Sequence, residues 1–151
     1  MSIEDRLADL GIDLPPVAKP VAAYVPAIQV GDQISTSGQL PLVSGSLPMT
    51  GLVGDQISQG DAAGQARVAA LNALAAAADV AGGVNNIRRV VRVVVYVAST
   101  ADFTAQPAVA NGASELFGEI FGDAGRHIRS AIGVAGLPLG APVKVELTVQ
   151  V

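Results

Sequence analysis

An arginine at the head of an apolar strand, Arg129 in RSAIGVA, is the side chain best suited to chemistry on an anion. A guanidinium is a planar fork that takes a carboxylate through two parallel charge-assisted hydrogen bonds, where lysine would fix orientation less well. Strand alternation puts Ala131, Gly133 and Ala135 on the Arg129 face, and their small size leaves room for a ligand. Ile132 and Val134 then point the other way, into the core. A structural ion pair at the sheet rim is the competing reading of the same position. Glu146 lies in VKVELTVQV. There Val143, Val145, Leu147, Val149 and Val151 share one face, and Glu146 shares the other with Lys144, Thr148 and Gln150. The turn GLPLGAP folds this strand back beside Arg129, where a carboxylate could orient water or a substrate proton. A solvated strand charge fits the pattern equally well. His127 is the single histidine, with Asp123 four residues before it and Ser130 three after. No nucleophile-elbow pattern surrounds that serine, and no further ligands are spaced for a metal. GLVGDQISQG contains glycines but is not a phosphate loop.

The elements that must carry these residues are legible from pattern. The first helix starts at Ser2, with Asp5 as its capping-box partner, and ends at Gly11; Pro15-Pro16 forbids its continuation. Residues 21–28 read as a strand, and a turn at Gly31-Asp32 leads to a second strand, 33–37, as a hairpin. Residues 38–60 are rich in Gly, Pro and Ser and form a long connection of the kind often put to functional use. A helix over 61–81 follows, with Asp61 as its N-cap and Ala63, Ala66, Ala70, Leu74, Ala77 and Ala81 on one stripe. Gly82-Gly83 ends it. Residues 87–97, with VVRVVVYV, suit a strand buried on both faces. A helix over 106–121 begins with Pro107 in its first turn and buries Val109, Ala113, Leu116, Phe117 and Ile120. Strands over 129–135 and 143–151 close the chain. The order after the first helix is β-β-α-β-α-β-β, an α+β domain with one mixed sheet. Right-handed crossovers place both long helices on one sheet face. The other face is left uncovered, and a valine-rich face should not stay in water, so the chain should self-associate.

Composition narrows the function classes. The 151 residues suit one domain, 1–151, with residues 1–20 as an N-terminal helix and lead-in. Half are hydrophobic and only 3% aromatic, so Val, Ala, Leu and Ile must build the core. The net charge of −4 and a single basic cluster, Arg88, Arg89 and Arg92, argue against nucleic acid as a partner. The absence of cysteine excludes disulfides and thiolate chemistry. The acidic N-terminus does not read as a signal peptide, and the alanine-rich run over 62–81 is interrupted by Gln65, Arg67, Asn72 and Asp79. The expectation is a cytoplasmic protein with no membrane association.

Several blocks in order resemble one family. YVPAIQVGDQISTSGQLP, QARVAALNALAAAADVAGG, IRRVVRVVVYVASTADFTAQPAVANGASELF and RSAIGVAGLPLGAPVKVELTV together are similar to the RidA/YjgF family from about residue 18 onward. The resemblance implies a chorismate-mutase-like (bacillus type) α+β fold. It also implies a homotrimer with a central barrel and three clefts between subunits. The implied activity is hydrolysis of 2-aminoacrylate-like enamine and imine intermediates to 2-keto acids and ammonia, as in a 2-iminobutanoate/2-iminopropanoate deaminase, with no metal or organic cofactor. By residue, it implies that Arg129 holds the substrate carboxylate and that Glu146 places water. Tyr24 would cover the substrate, Ser37, Gly38 and Gln39 would shape the loop beside it, and Asn111 would stand near the ligand. Two departures mark the site: Ala131 stands where the family often has cysteine, and Gly133 where it often has a polar side chain. Extra residues at 104–108 and 138–142 suggest a wider or differently shaped pocket. The alternatives are a non-catalytic trimer that binds small carboxylate metabolites, a ribonuclease, which the acidic charge disfavours, and a chorismate mutase, for which one arginine is thin support.

Overall fold

The computed structural model describes residues 1–20 and 23–151. Helix α1, Ile3–Asp9, opens on the expected capping box: the Ser2 hydroxyl accepts from the Asp5 amide, and the Asp5 carboxylate accepts from the Ser2 amide. Gly11 then turns the chain with a positive φ of 67°. The N-terminal arm is held to the body where Arg6 Nε donates to the Glu119 carbonyl at 2.8 Å.

Strand β1, Ala27–Val30, is shorter and later than the pattern over 21–28 suggests. Val21 and Ala22 lie outside the described residues. Pro26 has no amide to give a ladder, so regular pairing starts after it. β1 pairs antiparallel with β2, Gln33–Thr36, in the register Val30 to Gln33, which leaves Gly31-Asp32 as the two-residue turn.

Helix α2, Gln59–Ala81, starts two residues earlier than read from sequence. Its N-cap is Ser58, whose hydroxyl accepts from the Asp61 amide; Asp61 sits inside the first turn instead of capping it. Both residue types favour that end of a helix, and only the backbone bond tells them apart. Nearly every residue from Ala69 to Ala78 is buried, so the helix shows a broad apolar surface and not one stripe. Strand β3, Arg89–Ala98, follows, then α3, Gln106–Phe121, β4, Ile128–Val134, and β5, Val143–Gln150. Val109, Ala113, Leu116, Phe117 and Ile120 are buried as expected.

The five strands form one mixed sheet in the order β1-β2-β5-β3-β4, in which only the β3–β4 pair is parallel. Both long helices lie on one face. There Val90, Val93, Val95, Val97, Val143, Val145, Leu147, Val149 and Ile34 form the core with the alanines of α2 and with Leu116 and Phe117 of α3. Gly112 sets how closely the helices approach: a Cβ there would overlap the carbonyl of Ala63.

The other face is open, as expected, but it is not valine-rich. β3 is buried toward the helices and half-polar behind, where Arg92 is exposed, Tyr96 half-buried and Val94 8% exposed. The open face carries a polar centre, in which Tyr96 Oη donates to Glu146 Oε1 at 3.2 Å and the Ser35 and Thr148 hydroxyls lie 3.0 Å apart. Aliphatic side chains flank it: Ile28 and Val30 on β1, Ile128 and Ile132 on β4. Among the described residues no helix is long and apolar enough to cross a membrane.

Candidate functional site

Arg129 stands on β4, an edge strand, paired with Val93 of β3. Paired residues of a parallel ladder share a face, and Val93 points to the helices, so Arg129, Ala131 and Gly133 do too. This reverses the facing read from the sequence: Ile132 is on the open side and Ala131 packs against the core. Alternation says which residues share a face but not which face is covered; the register with β3 decides it. Arg129 reaches from the sheet edge to α3, where Nη1 donates to Asn111 Oδ1 at 2.8 Å and to Ser114 Oγ at 3.2 Å. Asn111 is exposed on the helix surface, and its side chain serves to fix the guanidinium. Among the described residues Arg129 has no acidic partner, and Nε and Nη2 donate to nothing. That edge is the side-on fork suited to a carboxylate.

A hollow of about 430 Å³ adjoins it, lined by Ser114, Gly118, Gly122, Gly125, Arg126, His127 and Arg129. His127 belongs to this hollow, and its partner is neither Ser130 nor Asp123. Nε2 lies 2.8 Å from Ser114 Oγ and Nδ1 2.6 Å from the Gly125 carbonyl. Phe117 meets the imidazole edge-to-face with centroids 6.1 Å apart. Ser114 has no sequence signal as a site residue: it lies mid-helix, thirteen positions before the histidine it meets.

The remaining candidates form a second group. Tyr24, Gly38 and Gln39 line a narrow cleft of about 40 Å³ with Lys19, Pro20 and Leu42. Tyr24 is 48% exposed, while Gln39 is buried, its backbone paired to Val145. Ser37 is not among the residues lining the cleft, and its hydroxyl donates to the Val25 carbonyl at 2.6 Å. Gly38 admits the Lys144 side chain, which a Cβ would displace. The long connection after it is pinned by Asn72 of α2, whose Nδ2 donates to the Leu40 and Leu42 carbonyls at 2.9 and 3.0 Å. Glu146 lies on the open face with β3 between its strand and β4, so the last strand does not return beside Arg129. The turn before β5 delivers it to the sheet centre because both flanks of β5 are hydrogen-bonded, to β2 and to β3. Within one chain Arg129 and Glu146 are on opposite faces.

Burial pushes the Tyr96 phenol above its usual value near 10, and the neighbouring Glu146 carboxylate adds to the effect. The departure at Gly133 does not simply widen a pocket. The side-chain amide of Gln106 would lie 2.8 Å from a Cβ at that position. Gly133 and Gln106 line a separate hollow of about 630 Å³ with Ser99 and Thr100. No three His, Asp or Glu side chains converge on a common point among the described residues.

A five-stranded mixed sheet with two crossover helices on one face defines an α+β protein of the chorismate-mutase-like class. Residues 4–150 match the family described as "YjgF/chorismate mutase-like, putative endoribonuclease". The sequence is 40% identical over 146 residues to Protein TCP17 of Trypanosoma cruzi, covering 96% of this chain and 91% of that one. The fold is similar to a "putative endoribonuclease" of Shewanella oneidensis MR-1, with a TM-score of 0.95, 32% identity and full coverage of both chains. It is also similar to the protein Atu1372 of Agrobacterium tumefaciens, of unknown function, with a TM-score of 0.88 and 40% identity over 99% of this chain and 92% of that one. The chain belongs to the YjgF/chorismate-mutase-like family.

Proposed function

We propose that this protein hydrolyses carboxylate-bearing enamine and imine intermediates to 2-keto acids and ammonia, at clefts between three copies of the chain. The observation that carries the reading is the Arg129 guanidinium. Asn111 and Ser114 hold one nitrogen, no acid among the described residues neutralises it, and its Nε–Nη2 edge is left to grip a carboxylate beside an open hollow. An iminium carbon is already electrophilic. The protein must hold the carboxylate, admit one water and let the amine leave, and positioning of this kind lowers barriers substantially.

The two groups of site residues support a cleft between copies. Arg129, Asn111 and Ala131 belong to the β4 edge, whereas Tyr24, Ser37, Gly38 and Gln39 belong to the β1–β2 side at the opposite end of the sheet. A head-to-tail contact sets one group against the other from the next copy, and closure after three makes three equivalent clefts. The exposed Ile28, Val30, Ile128 and Ile132 supply apolar surface for such a contact. In that arrangement Tyr24 covers the substrate and Glu146 places water.

The separation of Glu146 from Arg129 within one chain favours one other reading, a trimer that captures small carboxylates without reacting them. Freshly generated 2-aminoacrylate distinguishes the two. Accelerated ammonia and pyruvate release, abolished by Arg129→Ala, is expected of the enzyme. Pyruvate binding without acceleration would leave the binding protein. Cleavage of an RNA substrate in place of either would support the ribonuclease description that the family carries.

A further inference from the structure

We infer that Ser114 and His127 form the proton relay that serves the Arg129 clamp, an inference that rests on the imine-hydrolysing reading. A carbonyl oxygen only accepts, so the 2.6 Å contact with Gly125 puts a hydrogen on His127 Nδ1. In the neutral ring Nε2 is then the acceptor, and the Ser114 hydroxyl hydrogen points to it across 2.8 Å. Arg129 Nη1 donates to the same Ser114 oxygen at 3.2 Å. The serine is thus hydrogen-bonded to a base, the base is oriented by a third group, and a cation stands beside the oxygen that would take up negative charge. If His127 takes a second proton, Nε2 donates to Ser114 and frees the hydroxyl hydrogen for the hollow. The pair therefore has an accepting and a donating state with no movement of backbone. All three side chains line the one hollow of about 430 Å³.

The substrate class is an α-iminium carboxylate, its carboxylate on the free nitrogens of Arg129 and its C=N carbon reached from Ser114 Oγ through the reacting water. Water adds to that carbon, and the C=N π electrons move to nitrogen. The proton that water loses passes to Ser114 Oγ as the serine's own proton passes to His127 Nε2. The resulting carbinolamine takes a proton back through Ser114 onto its nitrogen. The C–N bond then breaks as the hydroxyl oxygen forms the ketone. The hydroxyl proton leaves with the ammonia as ammonium, and His127 ends neutral. His127 acts through Ser114 and is a positioning and relay residue, while Ser114 meets the reacting water.

The test compares Ser114→Ala and His127→Gln with wild type in two assays, imine hydrolysis and binding of pyruvate. Glutamine can still accept from Ser114 but cannot carry the proton. The expected result is a fall in kcat of about 100-fold or more in each variant, the range for lost general acid–base catalysis, with the pyruvate Kd of His127→Gln within about threefold of wild type; Ser114→Ala also loses a hydrogen bond to Arg129, so its rate alone is read. Because the two positions lie on different elements, failure of one variant to fold leaves the other to decide. Wild-type kcat in a folded variant would overturn the relay and leave the hydrolytic reading standing. So would a pyruvate affinity of His127→Gln that falls in step with its rate, since the pair would then only prop up Arg129. A wild-type chain that turns over no imine would remove both.

Discussion

Arg129 is held at one nitrogen and, among the described residues, open at the others, which makes its substitution informative. Arg129→Lys keeps the charge but loses the fork, and pyruvate affinity is expected to fall by about 10-fold or more, in keeping with the 1.5–3 kcal/mol of a charged hydrogen bond. Titration calorimetry measures it, and unchanged affinity would show that the carboxylate sits elsewhere. Tyr96 offers a test of the open face. Its folded pKa is raised above the ordinary 10, by burial first and by Glu146 second. Between the unfolded and folded values the native state therefore binds more protons, so stability is full below about pH 10 and declines as pH rises through the folded pKa. Tyr96→Phe should remove that part of the alkaline decline in denaturant unfolding curves. An identical pH profile would mean that the phenol is not shielded in solution. The residue type of Arg129 and its place on a strand were readable in the chain. Ser114 was not, because its chemistry comes from a histidine in another element.

Close helix approach and a pinned loop dominate at the scale of elements. Gly112 meets the backbone of α2, and a methyl group has no flexible neighbour to displace. Gly112→Ala should destabilise the fold by about 3 kcal/mol, at the upper end of overpacking costs, as a lowered urea midpoint. Asn72→Ala leaves the Leu40 and Leu42 carbonyls without their donor. A cost of about 2 kcal/mol is expected from the lost bonds, with faster amide exchange in the loop that follows β2. Equal exchange would show the loop to be held by other means. The identities of the three α-helices and five strands followed from hydrophobic pattern, β-branched runs and turn residues. Their ends were less legible: Ser58 displaced Asp61 as the cap of α2, and Pro26 delayed β1. Both shifts depend on which backbone amide finds which acceptor, and residue type constrains that only loosely.

For the whole molecule, the polar centre and aliphatic flanks of the open face bear on assembly. Ile132, 43% exposed on the edge strand, is the position where an introduced charge should disturb such a contact. Wild type is expected to sediment at three times the chain mass, and Ile132→Lys at the mass of one chain. A wild-type monomer would remove the clefts on which the proposed hydrolysis depends. The sequence by itself determined the order of elements, the placement of both long helices over one sheet face and the family. The first two follow from hydrophobic period, turn residues and the handedness of crossovers, all local properties of the chain, and the family from sequence blocks that resemble it in order. Only the tertiary structure decided that Arg129 faces α3, that β3 separates Glu146 from it, and that a serine and a histidine meet beside it. Strand alternation is symmetric between two faces and says nothing of strand order. Those choices are made when β3 pairs with both β4 and β5, an arrangement set by long-range packing.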